Sequence, residues 1–154
     1  MIREHHRSIS RAPAFVRLMD PLVPRLLSLG VPMGPNTLLT VRGRKSGEPR
    51  SAGVALVEIG ERRWVISAYG ETHWVRNLRA AGEAMIQVRG QGEPVSAVEL
   101  TPAAAVTFFR EVLEPHIRGM PLSVRLVARI FTRDIFADPV RAAARRPVFE
   151  LQRR

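Results

Sequence analysis

The sequence predicts an α+β protein: about six mostly antiparallel strands curled into a small barrel, with flanking helices. Three observations carry this. Strand-length stretches rich in β-branched residues are separated by glycine-centred turns from Thr37 to Leu100, which is hairpin chemistry. Helical spacing and capping signals stand before, between and after them. With 45% hydrophobic residues and no cysteine, apolar burial rather than disulfides or thiolate metal sites must hold the fold.

Residues 1–11 are polar and read as a flexible N-terminus. Residues 12–154 read as a single domain that opens with a helical segment. There Phe15, Leu18, Met19, Leu22, Val23, Leu26 and Leu27 fall near helical spacing, and Pro21 and Pro24 divide it. Gly30 to Asn36 reads as a loop. Strands follow over Thr37–Arg42, Arg50–Ile59 and Arg62–Tyr69, joined by the Gly43–Pro49 turn and Gly60-Glu61. A helix is expected over Thr72–Ala81. A hairpin is expected over Ala84–Arg89 and Pro94–Leu100 through Gly90-Gln91-Gly92. Thr101-Pro102 then opens a helix, as a capping residue followed by proline at the first helical position. That helix is expected to reach about Leu113, another to span Leu122 to about Phe131, and Pro147–Leu151 to form a last strand. Five or six strands of this length tend to close on themselves, because closure removes exposed edges.

The net charge is +10, and Lys45 is the only lysine among 24 cationic side chains. Arginine forks suit phosphates and carboxylates, so the charge points to anionic partners without choosing among them. No apolar run reaches the ~18 residues that would span a bilayer. Met1–Arg7 lacks the apolar core of a secretory signal. A cytoplasmic protein is the expectation.

Two stretches carry chemistry. Gly43-Arg44-Lys45-Ser46-Gly47 with Arg50 groups three cations and a hydroxyl around one turn. Such a turn can hold an anion through backbone N–H groups and charge-assisted bonds; the alternative is a solvated basic hairpin. The spacing is not that of a P-loop. In the second stretch, Ser67-Ala68-Tyr69-Gly70, a strand ends in small and polar residues and turns into a helix bearing Trp74 and Asn77. These two share a face at i, i+3. On their own, Trp74 reads as core and Asn77 as a surface amide.

Together, these residues resemble the deazaflavin-dependent nitroreductase and quinone reductase family, whose members use the 8-hydroxy-5-deazaflavin coenzyme F-420 and adopt a split β-barrel. The similarity is strongest over Asn36–Leu100 and extends to Pro147–Leu151. The resemblance implies that Arg44, Lys45, Ser46, Gly47 and Arg50 hold the coenzyme phosphate and its carboxylate tail. It implies that Gly53, Val54 and Ala55, with Ser67, Ala68 and Tyr69, line the deazaflavin, and that Trp74 and Asn77 close the pocket. Many relatives have Pro-Leu where this chain has Gly53-Val54, and more tyrosines than Tyr69 alone.

The function implied is hydride transfer from reduced F-420 to a small oxidised acceptor such as a quinone, nitroaromatic or activated enone. Ser67, Tyr69 and His73 are the candidates to stabilise or protonate it. Two alternatives stand beside it: the same barrel holding FMN, and a non-catalytic basic module for nucleic acid or a membrane surface. Few aromatics interleave the basic residues, so no specific nucleic-acid partner is expected. A homodimer, and a peripheral membrane contact through Phe15–Leu29, stay open. No metal site is expected, since His5-His6 lacks a third ligand at suitable spacing.

Overall fold

The computed structural model of this chain describes residues 36–154. The expectations for residues 1–35, a flexible start, a helical segment and a loop, lie outside the described residues. Six strands are present: β1 Asn36–Arg42, β2 Pro49–Ile59, β3 Arg62–Ile66, β4 Glu83–Val88, β5 Gln91–Glu99 and β6 Val148–Arg153. They form a closed barrel in the order β1-β2-β3-β6-β5-β4, with every neighbouring pair antiparallel. The expected barrel is therefore found.

Its strands carry two cores on opposite faces. Leu39, Val41, Val54, Val65, Ile86, Val95, Phe149 and Leu151 point into the barrel. Helix α1 (His73–Ala81) closes one mouth with Val75 and Leu78. Trp64, Ile66, Val57 and Val148 point outward, beneath a helical layer that includes Phe108, Phe109, Ile117 and Ile135. Side chains alternate along a strand. A strand buried on both faces must therefore be apolar without interruption, as Trp64-Val65-Ile66 and Val148-Phe149 are.

The helical layer departs from the expectation. Thr101 caps α2 (Pro102–Thr107) by accepting the Ala104 N–H at 3.2 Å, as the sequence implied. The helix does not stop at Leu113. It passes through a π-helical stretch, Phe108–Leu113, into α3 (Glu114–Arg118). Pro115 explains this, because it has no N–H for the Glu111 carbonyl one turn back and its ring would crowd that carbonyl. A π-type turn relieves the conflict. Helix α4 (Leu122–Ala137) runs beyond Phe131 until Asp138-Pro139 ends it. Asp138 then caps α5 (Pro139–Arg145), which the sequence reading missed, by accepting the Arg141 N–H at 3.0 Å. An aspartate before a proline is itself a helix-start signal.

The β4–β5 connection is also tighter than expected. Only Arg89 and Gly90 stand between the strands, both with positive φ (51° and 79°), and Gly92 lies within β5. Two residues with positive φ are what a twisted two-residue hairpin requires. At the barrel's side, Arg63 bonds Glu58 (2.6 Å) and Glu93 (2.7 Å), and Arg153 joins at 3.1 Å. The hydrogen bond from Arg63, reinforced by Arg153, holds the Glu93 carboxyl below its ordinary range.

Candidate functional site

The turn between β1 and β2 is built by its own backbone. Gly43 N–H donates to Glu48 O (2.8 Å), and Gly47 N–H to Gly43 O (2.8 Å). Ser46 Oγ accepts the Glu48 N–H at 3.3 Å. A Cβ on Gly43 would stand 3.0 Å from Ser46 Oγ and 3.2 Å from Glu48 O, and Gly47 has φ +73°. Both glycines are thus required by the shape of the turn. Arg44, Lys45 and Arg50 are exposed on it. Arg50 pairs with Glu48 at 3.3 Å, but both side chains are more than half exposed, so this ion pair binds Arg50 weakly.

Asn77 joins the turn to the barrel mouth. Its side chain is buried, with the residue 6% exposed, and Oδ1 accepts two hydrogen bonds from Arg44. One comes from the backbone N–H (3.3 Å) and one from Nη1 (2.8 Å). The two motifs singled out in the sequence, 33 residues apart at these positions, therefore meet. The reading of Asn77 as a surface amide on residue pattern alone is not what the fold shows. The i, i+3 relation to Trp74 already places the amide on the face that turns to the barrel, beside the buried Val75 and Leu78. There it needs a hydrogen-bonding partner.

Residues 67–72 connect β3 to α1. Ser67 is 1% exposed; its N–H donates to Pro147 O (2.9 Å) and its Oγ to Gly70 O (2.5 Å). That hydroxyl is committed to shaping the loop. Ala68 and Tyr69 are half-buried. Gly70 has φ +78°, and a Cβ there would lie 3.2 Å from Arg145 O at the end of α5. Thr72 precedes α1 without a side-chain capping bond, and its Oγ1 is buried with no partner among the described residues. His73 is exposed in the first turn of α1. Trp74 is half-buried, its ring 6.1 Å from Phe149 and tilted by 54°. Gly70→Ala should cost about 1–2 kcal/mol from the left-handed backbone, or roughly 2–8 °C in Tm, with loop and α5 displaced together. A melting temperature equal to wild type would show that the loop relaxes freely.

The strand register brings these parts to one place. β3 reaches β2 only as far as the Ala55–Ile66 pair. No strand among the described residues pairs with the Pro49–Val54 half of β2 on that side. The basic turn bounds this gap at one end, and the 67–72 loop leaves β3 beside it. Gly53 and Ala55 lie on the outer face of β2, whereas Val54 turns into the barrel core and is 3% exposed. Val54 can therefore offer the gap only its backbone. No cluster of metal-ligating side chains exists among the described residues.

Three solved structures that resemble this chain are low in identity. An F-420-H2 dependent reductase is 20% identical, over 77% of this chain and 94% of its own, with a TM-score of 0.48. A domain-swapped dimer is 21% identical, over 90% and 97%, with a TM-score of 0.48. A pyridoxamine 5'-phosphate oxidase-related, FMN binding protein from Nostoc punctiforme is 10% identical, over 95% and 83%, also at 0.48. A search of curated proteins finds no match. The sequence profile of the F-420H(2)-dependent quinone reductases matches residues 25–118. That span is more than half of the chain and takes in the basic turn, the half of β2 that β3 leaves open, the 67–72 loop and α1. This protein belongs to the F-420H(2)-dependent quinone reductase family, and is an oxidoreductase that works with coenzyme F-420.

Proposed function

We propose that this protein passes a hydride from reduced F-420 to a quinone, or to another flat acceptor such as a nitroaromatic or activated enone. Residues 12–154 act as one unit in doing so. The observation that carries this reading is the half of β2 that β3 leaves open, bounded by a turn with three exposed cations and by a loop of small and polar residues. F-420 carries a phosphate, several carboxylates and a flat ring, and the residues present suit each part.

Arg44, Lys45 and Arg50, with the Ser46 hydroxyl and the Gly47 backbone, hold the phosphate and the carboxylates. Asn77 holds the Arg44 guanidinium in place beforehand, which lowers the ordering cost of binding. Gly53 and Ala55 leave room against β2 for a flat ring, with the Val54 backbone beneath. Ala68, Tyr69 and Trp74 wall the other side and exclude water. When bound, reduced F-420 supplies the hydride, and the protein contributes position and environment. A quinone that gains a hydride needs one further proton to become a hydroquinone. Ser67 is sealed in the loop, so Tyr69 and His73 are the side chains that can deliver it. Replacing the donor, by Tyr69→Phe or His73→Gln, should remove one limb of the turnover–pH profile. Profiles unchanged in both variants would assign the proton to water.

The coenzyme site is tested through Lys45, the only lysine. An amine-acylating reagent removes its charge and its donors. Saturating F-420 should shield Lys45 from the reagent while the N-terminal amine still reacts, as read by peptide mass mapping. FMN and FAD, titrated in parallel, should shield it less. Equal labelling with and without F-420 would move the site away from the turn.

A further inference from the structure

A second surface stands apart from the reductase site. Helix α4 presents Leu122, Leu126, Val127, Ile130 and Phe131 to solvent, and Ile130 alone is 75% exposed. At 100° per residue these five fall on one outward arc of the helix. The opposite side carries Ile135 and Ala128 into the helical layer. Isolated exposed leucines are ordinary, but a contiguous apolar helix face marks a place where something docks.

The charge beside this face identifies what docks. Arg129 and Arg133 run along one edge of the arc at i, i+4. With Arg118 of α3 they line a cleft of about 280 Å³, floored by Ile117 and Phe136. Two acidic groups are nearby, and each is already engaged. Glu114 bonds Arg118 at 2.5 Å, and Asp134 on the arc takes two hydrogen bonds from Arg146 at 2.7 and 3.0 Å. A second copy of this chain would bring the same arginine edge and the same +10 charge against itself. An anionic lipid surface answers both features. Acyl chains take the apolar arc, and headgroup phosphates enter the arginine cleft, where guanidinium forks bind them well.

We propose that the α3–α4 face docks this protein onto anionic membrane surfaces, with Leu126 and Ile130 entering the acyl boundary and Arg129 and Arg133 on lipid phosphates. The helix lies along the surface. No helix among the described residues is long and apolar enough to cross a membrane.

The test is co-sedimentation of the full chain with phosphatidylcholine vesicles, with and without phosphatidylglycerol. Binding is expected only with phosphatidylglycerol, and weaker at high salt. Each arginine at an anionic surface is worth roughly fivefold in partitioning, so Arg129→Gln with Arg133→Gln should weaken binding by about 25-fold. Ile130→Glu should abolish it. Both variants replace exposed side chains and should keep the wild-type melting temperature and F-420 titration, so that failure here is distinct from failure at the coenzyme site. Three results would overturn the proposal. One is no sedimentation with anionic vesicles, and another is sedimentation unchanged in both variants. The third is a dimer, seen by sedimentation velocity, that Ile130→Glu dissociates, which would give the face to a second copy.

Discussion

Replacing Arg44 and Arg50 together by alanine will weaken F-420 binding by about 3–4 kcal/mol, a loss of roughly 150- to 900-fold. Hydrogen bonds to charged groups are worth roughly 1.5–3 kcal/mol each. The lower half of the summed range is used because Arg50 is largely exposed. The two positions also separate by stability. Without the Arg44 guanidinium, the buried Asn77 Oδ1 loses its 2.8 Å bond but keeps the 3.3 Å bond from the residue 44 backbone N–H, so the cost is that of one hydrogen bond, about 0.5–1.5 kcal/mol. Arg50→Ala alone breaks only an exposed ion pair and should leave the melting temperature unchanged. Fluorescence titration and thermal denaturation of the single and double variants read both effects. Wild-type affinity in a folded double variant would remove the turn from the coenzyme site.

Phe149→Ala should produce the largest loss of stability, about 3–5 kcal/mol. That is a substantial share of the ~5–15 kcal/mol that holds a typical domain together. Phe149 is 1% exposed inside the barrel and touches the Trp74 ring. Its removal leaves a hole bounded by β strands that cannot close without breaking the ladder. It also withdraws the support that orients Trp74, so coenzyme affinity should fall with stability. Phe149→Leu, which keeps more of the volume, should restore much of both. Urea denaturation measures the first effect and F-420 titration the second. A cost under about 1 kcal/mol for Phe149→Ala would mean that α1 settles into the space.

Much of the barrel was legible because its signals are local. Turn residues such as Gly43, Gly47 and Gly60 must sit where φ or space demands them, so they mark hairpins from sequence alone. What was not legible depends on distance in space. The identity of Asn77's partner follows from how α1 crosses the barrel mouth, not from anything near Asn77 in the chain. Val54 was grouped with Gly53 and Ala55 because the family resemblance points to this stretch of strand as a whole. A strand turns consecutive side chains to opposite faces, and only register decides which face is inside. Ser67 looked like a proton donor in a row of polar residues, and the fold spends its hydroxyl on Gly70 O. Helix α5 is only seven residues long, too short for an apolar periodicity to mark it, and Asp138-Pro139 is its one local signal. The helix at α4 was expected, but nothing local says which of its sides the core takes.

The position of β6 between β3 and β5 has a consequence for how the chain is made. Of the described strands it is the last to be synthesised, yet it is the stave that completes the ring. Until residues 148–153 are free, β3 and β5 face water with open edges. Pairing across so long a stretch of chain is slow to form. Open edges on a nascent chain invite pairing with the wrong neighbour. The interval between the appearance of β5 and the seating of β6 is therefore when the growing chain most needs shelter from other chains.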